Sequence, residues 1–194
     1  MLPTLRALPL RLAGWTFETE LPSVKKYVVL AVPHTSNWDG LILLAAAQAV
    51  GLEMSWMIKG EWVRGPLGVV LRRLGAVAID RGHAANVVPQ MIDELRTRDH
   101  LALVIPPEGT RSRADYWKSG FYRIALGANV PVVPGYLDYA RKRVGLGPPI
   151  DLTGDVLADM DKIRAYYASS PAAALYADKF GPIRLKEEDA PAAG

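Results

Sequence analysis

Five short apolar runs recur along this chain, at residues 27–32, 54–58, 75–81, 101–105 and 130–136, each too short for a buried helix and bounded by Gly, Pro or charge. Their Val and Ile content and their length predict strands that sit inside a sheet. Between them lie stretches of helical character. Residues 41–52 are apolar enough for a buried helix, 62–74 break at Gly65-Pro66 into two short helical pieces, and 85–98 carry Val88, Met91, Ile92 and Leu95 at helical spacing. Residues 119–128 form a further helix, and 155–168 an amphipathic one that Asp155 begins. Strands alternating with helices predict an α/β fold with a mostly parallel or mixed central sheet covered by helices on both faces.

Parallel strands bring their carboxyl ends to one edge, where open α/β sheets bind ligands. Three of the predicted strand ends carry polar clusters: Pro33-His34-Thr35-Ser36-Asn37-Trp38-Asp39, then Arg81, then Pro106-Pro107-Glu108-Gly109-Thr110-Arg111-Ser112. On an unbroken helix, positions five apart diverge by about 140°, so His34 and Asp39 meet only if the chain bends between them. A strand-to-helix turn supplies the bend. Asp39 would then accept a hydrogen bond from one ring nitrogen of His34 and leave the other to take a proton from an alcohol. The plainer reading is that Asn37 or Asp39 caps the helix and that His34 is an ordinary loop histidine. Arginine grips phosphate through a planar fork, Gly109 allows close backbone approach and Thr110 adds a hydroxyl, so the third cluster suits a phosphorylated ligand. Glu108 either joins that ligand site or braces Arg111.

Composition narrows the chemistry. The 194 residues include no cysteine, which removes disulfides and thiolate chemistry, and the three histidines, His34, His83 and His100, have no metal-ligand spacing. No metal is expected. A net charge of +3 calls for no polyanionic partner, and the basic Arg141-Lys142-Arg143 has no interleaved aromatic residues to stack bases, so no nucleic acid is expected. No apolar run reaches the roughly 20 residues of a membrane-spanning helix. Residues 1–15 place Arg6 and Arg11 in an apolar background and read as an amphipathic surface segment rather than a secretory signal. Residues 1–180 are expected to form a single domain, with 181–194 a frayed tail.

In order along the chain, four segments resemble the motifs of the 1-acylglycerol-3-phosphate acyltransferases and the wider glycerolipid acyltransferase family. His34 to Asp39 is similar to the family's His-x4-Asp box. Residues 75–81, ending Ile-Asp-Arg, resemble its second motif, Pro107-Glu108-Gly109-Thr110-Arg111-Ser112 its third and Val130-Pro131-Val132-Val133-Pro134 its fourth. The resemblance implies a fatty acyl group passing from a thioester of coenzyme A or acyl carrier protein to a lysophospholipid hydroxyl, by direct attack and with no cofactor beyond the thioester co-substrate. His34 would be the base and Asp39 its orienting partner. Arg81, Glu108, Gly109, Thr110 and Arg111 would bind the acceptor's glycerol phosphate, and the fourth motif would shape the acyl site. The same site also suits a phospholipid-dependent transacylase or a thioesterase, and a catalytically idle membrane-surface binding module is the non-enzyme alternative. A cytoplasmic location is expected, with the tryptophans and arginines of residues 1–15 and 62–74 either resting peripherally on the inner face of the cytoplasmic membrane or packing on the protein's own core.

Overall fold

The computed structural model describes residues 8–18, 20–79 and 86–189. Helix α1 (Leu8–Leu12) and the short β1 (Thr16–Phe17) lead into β2 (Lys26–Val32), α2 (Asn37–Val50) and β3 (Met54–Lys59). A 3-10 turn (Gly60–Val63), α3 (Gly65–Arg73), β4 (Ala76–Ile79), α4 (Val87–Thr97) and β5 (Leu101–Ile105) follow. The chain then forms α5 (Gly120–Ala128), β6 (Val132–Asp138), β7 (Arg143–Leu146) and α6 (Val156–Ser169).

The strands make one seven-stranded sheet in the order β1-β7-β6-β2-β5-β3-β4. Every neighbouring pair is parallel except β6 with β7, so β7 and β1 run against the other five. This is the mixed α/β sheet that the alternation of elements predicts.

β2 is the centre of it, hydrogen-bonded to β5 on one side and β6 on the other. Its sequence, Lys-Tyr-Val-Val-Leu-Ala-Val, is apolar on both faces because both faces are covered. Val28, Leu30 and Val32 pack with Met91 and Leu95 of α4, Phe121 and Ile124 of α5, and Met160 and Ile163 of α6. Tyr27, Val29 and Ala31 face the other way, against Leu43, Leu44 and Ala47 of α2. Each fully buried Val or Leu contributes about 1.5–3 kcal/mol relative to exposure, which makes this strand the main apolar anchor of the sheet.

The structure departs from the sequence reading at both ends of the chain. Residues 181–189 do not fray: Leu185 is fully buried and bridges to Trp117, and Glu188 accepts from Arg164 at 2.6 Å. At the other end, Leu10 and Trp15 are buried against Ala46, Leu137 and Val144, so Trp15 is a core residue although Leu8 and Leu12 remain exposed. The basic Arg141-Lys142-Arg143 forms the reversal into β7, with Lys142 Nζ donating to the Ala13 carbonyl and Arg143 paired with Glu18 at 2.9 Å. No helix among the described residues is long and apolar enough to cross a membrane.

Candidate active site

The parallel arrangement of β2, β3, β4, β5 and β6 puts their carboxyl ends along one edge, and the His34 turn leaves the central strand there. After the cis Val32–Pro33 peptide the chain runs extended to Ser36, which is the N-cap of α2. The Ser36 hydroxyl accepts from the Trp38 N–H at 3.0 Å, and Asp39, three residues on, accepts from the Ser36 N–H at 2.8 Å. Ser36 and Asp39, each taking the other's backbone N–H on its side chain, form a capping box. It holds an aspartate at the helix start, where the dipole favours negative charge.

Asp39 therefore does what the plainer reading assigns it, and it also faces the histidine. His34 Nδ1 lies 3.6 Å from Asp39 Oδ2, close enough for charge attraction but longer than a hydrogen bond, because Oδ2 already accepts the N–H groups of Thr35 at 2.6 Å and Ser36 at 2.8 Å. With Nδ1 turned to Asp39, Nε2 is left for a ligand. Burial pushes the imidazole below its usual pKa; Asp39 opposes that and Arg111 adds to it. A neutral ring at neutral pH is the form a base requires.

Glu108 approaches the pair from the loop after β5. The resemblance expects it at the acceptor phosphate, and the residues alone leave open a brace for Arg111. The structure gives its carboxylate a different occupation: it accepts the His34 backbone N–H at 3.1 and 3.3 Å and is 3 % exposed. Burial pushes its carboxyl up to about 7, the His34 N–H opposes the rise and the Asp39 carboxylate reinforces it. Gly109 closes the same turn, its N–H donating to the Pro106 carbonyl at 3.2 Å, with φ +66° and Lys118 Cγ 2.8 Å from where a Cβ would stand. Glycine meets both demands without strain, whereas a side chain here would take a left-handed backbone and push the Lys118 stem aside. Thr110 and Arg111 then emerge exposed. Arg81 lies outside the described residues.

His34, Asp39, Gly109, Thr110 and Arg111 line a cavity of about 740 Å³ that continues between α2 and the sheet. Its inner walls are apolar: Leu41, Leu43 and Leu44 from α2, and Ala31, Met54, Trp56, Val104, Gly135 and Leu137 from the strands. Gly135 and Leu137 come from β6, just after the fourth motif. A polar mouth and a long apolar interior suit a ligand with a charged head and a hydrocarbon tail.

A family model described as Acyltransferase matches residues 15–138, from Trp15 to the last residue of β6. The chain belongs to the acyltransferase family. This acyltransferase is 32% identical over 118 residues to a 1-acyl-sn-glycerol-3-phosphate acyltransferase of Limnanthes douglasii, a match covering 57% of the chain and 40% of that protein. It is 31% identical over 116 residues to a probable 1-acyl-sn-glycerol-3-phosphate acyltransferase of Mycoplasma pneumoniae, covering 57% of the chain and 44% of the relative. The matched stretch thus spans less than half the length of either relative. The fold is similar to the crystal structure of PlsC, the 1-acyl-sn-glycerophosphate acyltransferase of Thermotoga maritima, with a TM-score of 0.58 at 16% identity over 85% of this chain and 74% of that one.

The roles of two groups at the candidate site escape the sequence reading. Ser36 carries a local signal, since Ser-x-x-Asp before an apolar helical run is a capping-box pattern. Tyr139 carries none. It lies 100 residues beyond Asp39, yet its hydroxyl donates to Asp39 Oδ1 at 2.5 Å.

Proposed function

We propose that this acyltransferase moves a fatty acyl group from a thioester of coenzyme A or acyl carrier protein to the free hydroxyl of a lysophospholipid, with 1-acylglycerol-3-phosphate the favoured acceptor. The observation that carries the reading is a buried Asp39 behind a His34 of lowered pKa, at the mouth of a cavity with apolar walls. His34 Nε2 takes the proton of the acceptor hydroxyl as its oxygen attacks the thioester carbonyl. The tetrahedral intermediate collapses, the C–S bond breaks, and the imidazolium returns the proton to the leaving thiolate, so that an ester and a free thiol result with no acyl-enzyme. Asp39 stabilises the transient imidazolium. Glu108 holds the turn by accepting the His34 N–H, and the exposed Arg111, with Thr110 beside it, meets the acceptor phosphate.

The donor's tail fits the apolar part of the cavity, whose walls offer it only hydrocarbon, while the polar groups collect where His34 and Arg111 meet the opening. Access to lipid is by peripheral attachment to the inner face of the cytoplasmic membrane. Trp62, Leu67 and Val70 are 59%, 54% and 53% exposed, and Arg64 and Arg73 lie exposed on the same short stretch. Such a mixture favours the headgroup layer of an anionic bilayer. Gly68 lets α3 fold back onto the 3-10 turn before it, since a Cβ there would stand 2.0 Å from the Val63 carbonyl oxygen.

The test is release of free thiol from acyl-CoA with and without 1-acylglycerol-3-phosphate. Release should require the acceptor, and His34→Ala should lower turnover by about two to four powers of ten, the range of general-base catalysis, with Asp39→Asn losing less. Wild-type turnover in folded His34→Ala would remove the mechanism, and release independent of acceptor would make the protein a thioesterase.

A further inference from the structure

Tyr139 follows β6 by one residue and is held on several sides. Its N–H donates to the Ala173 carbonyl at 3.0 Å, and its ring meets Trp15 edge-on with 5.0 Å between centroids. The hydroxyl that results from this packing donates to Asp39 Oδ1, which also accepts the Ser36 hydroxyl at 3.0 Å. With the Thr35 and Ser36 N–H groups on Oδ2, Asp39 takes four donors, about the full capacity of a carboxylate. Three of the four belong to the turn that caps α2. The phenol arrives from the far end of β6.

We propose that Tyr139 is a positioning residue of the catalytic pair: its hydroxyl holds Oδ1 so that Oδ2 is presented to His34, and it shares the carboxylate's charge so that the imidazolium is stabilised without being trapped. The inference rests on the reading of His34 and Asp39 as the base and its partner. An ionised carboxylate that loses a donor attracts a neighbouring imidazolium more strongly and is also freer to rotate. Without the phenol, His34 would therefore keep its proton to higher pH, and the pair would spend less time correctly oriented. The phenol stays a donor throughout, because burial and then the hydrogen bond to Asp39 raise its own pKa. The other groups that bear on His34 are Glu108 and Arg111 from the loop after β5, while Tyr176 approaches Tyr139 and gives its N–H to Thr35 Oγ1 at 3.4 Å. The Ser36 hydroxyl meets the phenol as well, so Tyr139→Phe removes that contact together with the donor to Asp39.

Tyr139→Phe keeps the ring against Trp15 and deletes the donor. Tyr122→Phe is the matched control, since the Tyr122 hydroxyl donates to the buried Asp159 at 2.9 Å between α5 and α6. Both proteins should lose some thermal stability. In steady-state assays with oleoyl-CoA and 1-oleoylglycerol-3-phosphate, Tyr139→Phe should lower kcat by about tenfold with both KM values unchanged, equivalent to about 1.4 kcal/mol in the barrier. The imidazole of His34, followed by NMR and assigned with His34→Gln, should titrate about half a pH unit higher in Tyr139→Phe and unchanged in Tyr122→Phe. An unmoved imidazole together with wild-type kcat, in a Tyr139→Phe protein that loses only stability, overturns the proposal. Wild-type turnover in His34→Gln would instead overturn the reading on which it rests. If these substrates support no turnover, the titration decides alone: a raised midpoint upholds the positioning role and an unmoved one rejects it.

Discussion

Replacing Glu108 by glutamine should make the protein more stable at alkaline pH. In the folded chain the carboxyl is raised from 4.5 to about 7, because it is buried beside the Asp39 carboxylate. A carboxyl raised in the folded state binds its proton more tightly there than in the unfolded chain, so its contribution is present below pH 4.5 and is lost as pH rises through about 7. At 1.36 kcal/mol per pKa unit, that span amounts to about 3 kcal/mol by pH 8. Glutamine has the same shape, accepts the His34 N–H through its carbonyl and has nothing to ionise. His34 works in the opposite direction, since its lowered pKa makes stability rise with pH, but it is common to both proteins. The difference between wild type and Glu108→Gln in urea unfolding, taken from about pH 4.5 to 8, should therefore grow in favour of the variant by about 1.4 kcal/mol per unit in mid-range. Parallel curves across the whole range would refute the reasoning, because they would mean that Glu108 ionises as readily in the fold as in water.

Arg111→Ala should raise KM for 1-acylglycerol-3-phosphate more than for the thioester, and Arg111→Lys should recover only part of the loss, because an ammonium does not reproduce the planar fork; an equal loss against a phosphate-free acceptor would remove the assignment. Replacing Trp62, Leu67 and Val70 together by serine should weaken co-sedimentation with anionic vesicles while leaving thermal stability near wild type, since all three are exposed, and wild-type binding at low salt would exclude this face.

The sequence discloses most of the sheet because its central strands are buried on both faces. The apolar runs behind β2, β3, β4, β5 and β6 are long enough to stand out from polar loops, and the Gly65-Pro66 step marks where the 3-10 turn gives way to α3. β1 and β7 are missed for the converse reason: one has two residues and the other four, and β7 begins inside a basic cluster that reads as solvated turn. Within the site, His34, Asp39 and Arg111 are legible from their spacing at strand ends. The occupation of Glu108 is not, because its partner is a backbone N–H, which no side-chain pattern reports. Tyr139 is invisible for a related reason, as its contact with Asp39 exists only once β6 lies beside β2 and the residues after each strand are brought together. Trp15 misleads: tryptophan near arginine in an apolar lead-in has the composition of an interfacial anchor, and only its packing against Ala46, Leu137, Val144 and the Tyr139 ring shows that it turns inward.

The place of β2 in the sheet has a consequence for how the chain leaves the ribosome. Val28 is flanked in the finished sheet by Leu103 and Val132, so the central strand of the sheet is made before both of its neighbours and has both edges paired only once β6 has followed β5. At typical translation rates of about 5–20 residues per second, roughly 5–20 s separate the emergence of β2 from that of β6. Until β5 emerges both hydrogen-bonding edges of this Val- and Leu-containing run are open, and until β6 emerges one of them still is, available to other nascent chains. The aggregation hazard of this acyltransferase thus lies in the order of its synthesis, and slowing translation between β2 and β6 should lower its soluble yield more than slowing it after β6.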